Sequence, residues 1–192
     1  MQRAQDEALQ AYLDQMSTLL IERNLRGSEE ASEVRTLART RTLTVLKRLD
    51  PSRKPAVLQF LQEAELVQSS GDSAPIIELA GADLGGADLS ESHLSGANLR
   101  EADLSGADLL LVHLREAILV GADLRAVDLR AADLSTADLT EVNLTGADLR
   151  EADLRSALAI TKRAVRATSL LSRRCHHALR RKIQGLVPRQ RG

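Results

Sequence analysis

The sequence predicts a β-solenoid preceded by an α-helical segment. Leucine recurs at every fifth position from Leu79 to Leu154, and a small or β-branched residue stands two positions before each of these leucines. The 192-residue chain also has one Tyr, one Phe and no Trp. Because large aromatic side chains normally fill a globular core, Leu and Ala must do the packing here, which favours a narrow and repetitive interior.

A period of five residues excludes both regular secondary structures. On an α-helix, five residues turn the chain by about 140° beyond a full turn, so the leucines would scatter around the circumference. In a flat strand an odd period sends successive leucines to opposite faces. The leucines and the small residues can share an inner side only if the chain turns a corner in every repeat. Six glycines stand two positions after a leucine and suit such corners: Gly81, Gly86, Gly96, Gly106, Gly121 and Gly146.

The repeat motif A-[D/N]-L-x-x resembles the pentapeptide-repeat family, as in the stretches GADLGGADLS, SGANLREADL and TGADLREADL. The resemblance implies a right-handed quadrilateral β-helix with four pentapeptides per coil. The repeats at 77–156 would then form about four coils. Solenoids of this kind are stabilised mainly by contacts between neighbouring coils, and their open ends need caps.

The flanking segments predict helices. Residues 1–68 read as three amphipathic helices, in which Asp50 is expected to cap the third helix with Pro51 at its first position. This region resembles the segment before the repeats in a bacterial subgroup of the family. Residues 69–76 form a polar linker, and 157–192 are expected to form a basic C-terminal helix and tail.

Composition also bears on location. No run of 18 apolar residues and no basic-then-apolar leader is visible, so a cytoplasmic protein is expected. In the resembling subgroup a membrane anchor often precedes the helical region, and membrane association is therefore expected if the N-terminus is incomplete. The single Cys175 suits a reducing compartment.

Charge divides the chain into an acidic body and a basic end. Residues 79–156 carry 15 acids and 6 bases, whereas 157–192 carry 10 bases and no acid. The basic tail could contact nucleic acid or an anionic membrane. The preferred interpretation is a cap whose charge complements the acidic coils.

A column of aspartates is one candidate interaction surface. With four repeats per coil, one vertical column contains Asp88, Asp108, Asp128 and Asp148. Some members of the resembling family are thought to imitate DNA and bind a type II topoisomerase (gyrase), and this is the alternative function. Interleaved arginines and the presence of Leu at every central position count against it. Turn chemistry and solubility would also explain the aspartates.

Apolar residues at outward positions are the second candidate surface. Leu110 and Leu111, together with Ile118 and Val120, are expected to form an exposed patch on the middle coils. A patch of this kind could bind a partner protein, form a homodimer, or be covered by a helix of the same chain.

No catalytic constellation is visible, and neither a cofactor nor a metal site is expected. His93 and His113 are 20 residues apart and should stack, which is most simply a pair of solvent-facing substitutions in the Asp/Asn slot. The stretch Cys175-His176-His177 lacks the spacing of known zinc motifs. The sequence therefore predicts a non-enzymatic protein-interaction or scaffolding module.

Overall fold

The N-terminal part of the chain is a small helical bundle. The computed structural model describes residues 2–69 and 73–158, so the predicted C-terminal helix lies outside the described residues. The bundle consists of α1 (Gln2–Ile21), a short 3-10 turn (Leu25–Gly27), α2 (Glu33–Arg48) and α3 (Lys54–Glu63). Three helices were expected, and three are present.

The helices pack through the apolar stripes that the sequence predicts. Tyr12 and Met16 of α1 are buried against Leu46 of α2 and neighbouring apolar side chains. The hydroxyl groups of Tyr12 and Thr42 lie 2.9 Å apart in a buried hydrogen bond. The ring of Phe60 meets the Tyr12 ring edge-on at 6.3 Å. Burial raises the pKa of Tyr12 well above its usual range, with the hydrogen bond to Thr42 acting in the opposite direction, so the phenol stays neutral.

The expected start of α3 is wrong. Its N-cap is Arg53, which makes no side-chain capping bond, and its first turn contains Pro55 rather than Pro51. The Asp50 carboxylate instead accepts hydrogen bonds from Ser52 Oγ at 2.6 Å and from the Arg53 guanidinium at 2.6 Å. Because those bonds engage both carboxylate oxygens, residues 51–53 form a turn before the helix begins.

Residues 77–158 form a β-helix solenoid with a period of 20 residues. Parallel bridges join each position to the one 20 residues later, as in Asp83 to Asp103 and Asp103 to Asp123. Leucine N–H groups donate across the same interval, for example from Leu84 to the Asp103 carbonyl at 2.7 Å. The central leucines and the small residues two positions before them line the core, where most are fully buried.

At every corner of the solenoid, one residue has a left-handed backbone conformation, with a positive φ. We call the residues one and two positions after each leucine the first and second turn positions. The second turn position has a φ of +54° to +77° throughout the solenoid, at the six expected glycines and also at ten other residues. These ten are Glu91, Glu101, Leu111, Glu116, Ala126, Ala131, Thr136, Glu141, Glu151 and Ser156. The repeat therefore tolerates a side chain at the corner, although a left-handed conformation costs an ordinary residue about 1 kcal/mol.

The aspartate before each leucine is part of the turn. Asp88 Oδ1 accepts the Ser90 N–H at 3.1 Å, and Asp108 Oδ1 accepts the Leu110 N–H at 3.0 Å. Asn143 makes the equivalent bond. Because the same side-chain oxygen serves in Asp and in Asn, the preference for these two residues in this slot follows from local turn chemistry.

The helical bundle sits on the first coil and closes that end of the solenoid. The Ile77 N–H donates to the Leu66 carbonyl at 2.7 Å, and the Arg39 guanidinium donates to the Ala80 carbonyl at 3.0 Å. A single apolar cluster runs from Tyr12 in α1 to Ala157 at the far end of the repeats. The bundle and the solenoid therefore share one core.

A glycine permits the close approach of the connecting segment. Gly96 is buried with a φ of +67°, and a Cβ at this position would lie 1.8 Å from Ser69 Oγ. Nearby, Gln68 donates to the His93 carbonyl at 3.0 Å. The chain thus passes tightly over the corner at Gly96. Within residues 2–69 and 73–158, no helix has the length and apolar character needed to cross a membrane.

Candidate interaction surfaces

The corner formed by Leu110 and Leu111 is an exposed apolar feature of the solenoid. Leu111 occupies a second turn position with a φ of +58° and is 45% exposed, while Leu110 is half-buried. The residues above and below Leu110 are Ser90 and Arg130, as expected from the 20-residue register. We call Leu110 and Leu111 the leucine corner.

Ile118 and Val120 lie elsewhere on the same coil. Between Leu111 and Ile118 the chain crosses a whole face, which carries His113, and then a further turn at 115–116. Both Ile118 and Val120 are half-buried, and Ile118 is bridged to the polar residues of the neighbouring coils. Leu110 and Leu111 therefore lie at one corner, and Ile118 and Val120 lie round the next corner of the same coil.

The four aspartates stand in one column, as the register requires. Parallel bridges join Asp88 to Asp108, Asp108 to Asp128 and Asp128 to Asp148. The upper two carboxylates hydrogen-bond to turn groups, and a serine hydroxyl bond lowers the pKa of Asp88.

The lower half of that column is neutralised by arginine. Arg130 contacts Asp128 at 2.7 Å and Arg150 contacts Asp148 at 2.6 Å. These hydrogen bonds lower the pKa of both carboxyls, whereas their partial desolvation acts in the opposite direction. Asp123 and Asp153 are paired in the same way with the arginine two positions later. These four arginine-paired aspartates thus lie in the half of the repeats farther from the helical bundle.

The sequence carried a signal for these pairs that was missed. The triplet Asp-Leu-Arg occurs at 123–125, 128–130, 148–150 and 153–155. In this fold it places the guanidinium beside the carboxylate, because the intervening leucine points inward and its two neighbours both face outward.

His93 and His113 stack as predicted. Their ring centroids are 4.7 Å apart and their planes are 18° from parallel, with both residues exposed. Among residues 2–69 and 73–158, no group of three or more His, Cys, Asp or Glu is placed to hold a metal ion. The stretch Cys175-His176-His177 lies outside the described residues.

An ion pair between a buried lysine and a partly exposed aspartate lies at the junction and was not predicted from the sequence. Lys54 of α3 is only 3% exposed, and its Nζ lies 2.5 Å from Asp83 Oδ1 on the first coil. Asp83 also borders an open cavity of about 300 Å³ between α2 and the solenoid. That cavity is lined by Thr40, Leu43, Thr44, Lys47, Gly81 and Asp83. Nothing in the local sequence relates Lys54 to Asp83, because only the docking of the bundle brings them together.

The comparison with protein-family models concerns the repeats. The family model described as Pentapeptide repeats matches residues 77–115 and 117–155 with 8 copies. A search of curated proteins gives no match.

Solved structures of pentapeptide repeat proteins are similar to part of the chain. HetL, a protein involved in heterocyst differentiation regulation from the cyanobacterium Nostoc sp., is 37% identical, with coverage of 47% of this chain and 41% of HetL and a TM-score of 0.43. A pentapeptide repeat protein from the Arabidopsis thaliana thylakoid lumen is 34% identical, with coverage of 50% of this chain and 64% of that protein and a TM-score of 0.41. QnrB1, a plasmid-mediated fluoroquinolone resistance protein, is 22% identical, with coverage of 40% of this chain and 42% of QnrB1 and a TM-score of 0.32.

The chain spans less than two thirds of the length of each of these three proteins. The regular bridges, the inward leucines and the family match all concern the same stretch of residues. The stretch at 77–155 therefore consists of pentapeptide repeats.

Proposed function

We propose that this protein is a non-enzymatic interaction or scaffolding module that binds a partner protein through the leucine corner. The observation that carries the proposal is the exposure of Leu111 at a left-handed corner. The other second turn positions hold Gly, Ala, Glu, Thr or Ser.

The choice of leucine at this corner has an energetic cost within the isolated chain. A left-handed conformation costs a residue with a Cβ about 1 kcal/mol more than it costs glycine. The exposed part of the side chain gains no burial in return. A partner that covered the leucine would recover about 25 cal/mol for each Å² of apolar surface removed from water. The free energy gained on binding would then offset the local cost.

A second copy of the chain is one partner that this surface could take. A self-complementary contact would form a two-fold dimer. Changing Leu110→Glu together with Leu111→Glu should convert such a dimer into a folded monomer, seen as a halved mass in light scattering with an unchanged circular dichroism spectrum. Glutamate already occupies several second turn positions, so the fold should accept it at Leu111. The first turn position, where Leu110 lies, holds a charged residue in other repeats, such as Arg100 and Arg150.

A matched control separates the corner from a general charge effect. Ser135→Glu with Thr136→Glu alters the same two turn positions at another corner, and it should leave both mass and partner binding unchanged. A wild-type protein that is monomeric at high concentration would exclude the homodimer. In that case the partner must be a different protein. That protein should bind the wild type and the Ser135 and Thr136 control, and it should fail to bind the Leu110 and Leu111 variant. If the variant retained every bound protein, the leucine corner would have no binding role.

The alternative function is DNA mimicry toward a type II topoisomerase. The column from Asp88 to Asp148 supports it, because carboxylates repeat there at the spacing of paired strands, about 4.8 Å. Arg130 and Arg150 weaken it, since they neutralise half of that column. A gyrase supercoiling assay distinguishes the two functions. DNA mimicry requires inhibition or protection that declines as salt rises, whereas the interaction module requires no effect.

We also propose the finer architecture that the resemblance implies. The repeats at 77–156 would form about four right-handed coils, which fits bridges 20 residues apart. The bundle at 1–68 and the linker at 69–76 would close one end, and the basic segment at 157–192 would contact the acidic coils near the other.

A further inference from the structure

His93 and His113 are the pair of bridged residues in the described solenoid in which both side chains are imidazoles. His93 and His113 occupy equivalent positions in successive coils, where the consensus residue is Asp. The His113 N–H donates to the Ser92 carbonyl at 2.9 Å, and the Leu94 N–H donates to the His113 carbonyl at 2.8 Å. These bonds on both sides fix the two backbones, so the imidazoles project in parallel from a rigid surface.

We propose that His93 and His113 form a two-imidazole site for a divalent transition-metal ion of the Cu²⁺, Ni²⁺ and Zn²⁺ class. Neutral imidazole nitrogen is a preferred ligand for these ions, whereas Ca²⁺ and Mg²⁺ prefer oxygen. Both rings are exposed, which leaves the remaining coordination positions open to water.

The rings must turn before they can share one ion. Metal–nitrogen bonds of about 2.0–2.1 Å at a tetrahedral angle place the two nitrogens about 3.3 Å apart and require their in-plane lone pairs to converge on the ion. The ring centroids are 4.7 Å apart and the ring planes are 18° from parallel, so each side chain must rotate about χ1 and χ2 until its nitrogen faces the ion. Because both side chains are exposed, this rotation can occur with the backbone fixed.

The surroundings also favour a cation. Asp133 is the next residue in the same column and is bridged to His113. Asp153 comes next in the column, bridged to Asp133, and its carboxylate is paired with Arg155. Within residues 2–69 and 73–158, the Asp133 carboxylate accepts one hydrogen bond, from the Ser135 backbone N–H at 2.9 Å. Asp133 therefore contributes negative potential on the coil directly below the imidazoles.

Binding of Cu²⁺ by the full chain tests the proposal. Cu²⁺ is the probe because it binds nitrogen sites most tightly within this series. The background protein carries Cys175→Ser, His176→Ala and His177→Ala, which removes the other histidines and the thiol. Titration calorimetry should show one bound ion, and electron paramagnetic resonance should show two nitrogen ligands.

Single substitutions identify the ligands. His113→Asn and His93→Asn keep a residue that this slot accepts, since Asn98 and Asn143 occupy equivalent positions. Each should weaken Cu²⁺ binding by about a hundredfold, because a two-point attachment becomes a single one. Asp108→Asn alters the same slot on the adjacent face and should leave the affinity unchanged.

The outcomes are distinct. Loss of affinity in both histidine variants with unchanged circular dichroism supports the site, as does the two-nitrogen spectrum. Equal affinity in the background protein and either histidine variant overturns it. Absence of Cu²⁺ binding by the background protein at millimolar metal overturns it as well.

Discussion

The ion pair between Lys54 and Asp83 should govern how firmly the helical bundle is held on the solenoid. The Lys54 side chain is 4% exposed and that of Asp83 is 43% exposed. Removing one member of a fully buried pair typically costs about 3–5 kcal/mol, because the remaining charge has no partner. Asp83 is partly hydrated, and an asparagine oxygen still accepts one hydrogen bond from the ammonium group. We therefore expect Asp83→Asn to cost about 2 kcal/mol, below the range for a fully buried pair.

Asp103→Asn is the matched control, because it makes the same chemical change one coil further along the same column. Asp103 Oδ1 accepts the Ser105 N–H at 2.9 Å and the Ser105 hydroxyl at 2.6 Å. An asparagine oxygen can accept both bonds, as Asn143 does from Thr145. The control should therefore change the free energy of unfolding by less than about 0.5 kcal/mol.

Urea unfolding followed by circular dichroism measures both variants, and the midpoint of Asp83→Asn should be clearly the lower. In calorimetry its Tm should fall by about 4–8 °C, from about 2–4 °C per kcal/mol for a protein of this size. Adding Lys54→Met to Asp83→Asn should recover stability, because no buried charge then remains. Equal midpoints for Asp83→Asn and Asp103→Asn, or no recovery with Lys54→Met, would show that the ion pair does not hold the bundle on the solenoid.

Two further predictions concern the corners and the arginine pairs. Gly96→Ala should destabilise the protein by about 2 kcal/mol in urea unfolding, because it adds a contact with the connecting segment to the strain of a left-handed alanine. Gly106→Ala has the same strain with open space around it and should cost about 1 kcal/mol. If the two glycine variants were equally stable, the close approach at Gly96 would be absent in solution. Arg130→Gln should lower the Tm at about pH 7, because it removes the main hydrogen bond that depresses the pKa of Asp128. That stabilisation is present above the unfolded pKa of about 3.9 and is lost as pH falls through the lower folded value, so the Tm difference should shrink toward about pH 2. Arg100→Gln is the control, because Arg100 stands two positions after Asn98, which does not titrate. Its effect on the Tm should show no comparable pH dependence. A Tm difference for Arg130→Gln that stayed constant with pH would contradict the role of Asp128.

The fold of the repeats was predictable because the pattern is local and repeated. A period of five residues excludes helix and flat strand on geometric grounds, and the inward positions of Leu and Ala then follow. The stacking of His93 on His113 follows from the same register, because residues 20 positions apart occupy equivalent places in successive coils. The amphipathic stripes likewise predicted the helices, although the start of α3 depended on side-chain bonds of Asp50 that compete with capping.

The leucine corner shows where a linear pattern stops being sufficient. The register alone places Leu110 and Leu111 at the two turn positions of one corner, and it places Ile118 and Val120 round the next corner. How far each side chain is exposed depends on the side chains packed around it. Only the structure shows that Leu111 is exposed while Leu110 is half-buried.

What the sequence alone determined is the repeating unit: its inward leucines, its turns and its register from coil to coil. The tertiary structure decided how the bundle meets the solenoid. The pairing of Lys54 with Asp83 and the approach to Gly96 join segments with no common pattern. Contacts within a repeat recur and are visible in the sequence. A contact between two different elements occurs once, and it depends on the packing of whole surfaces, so only the folded chain reveals it.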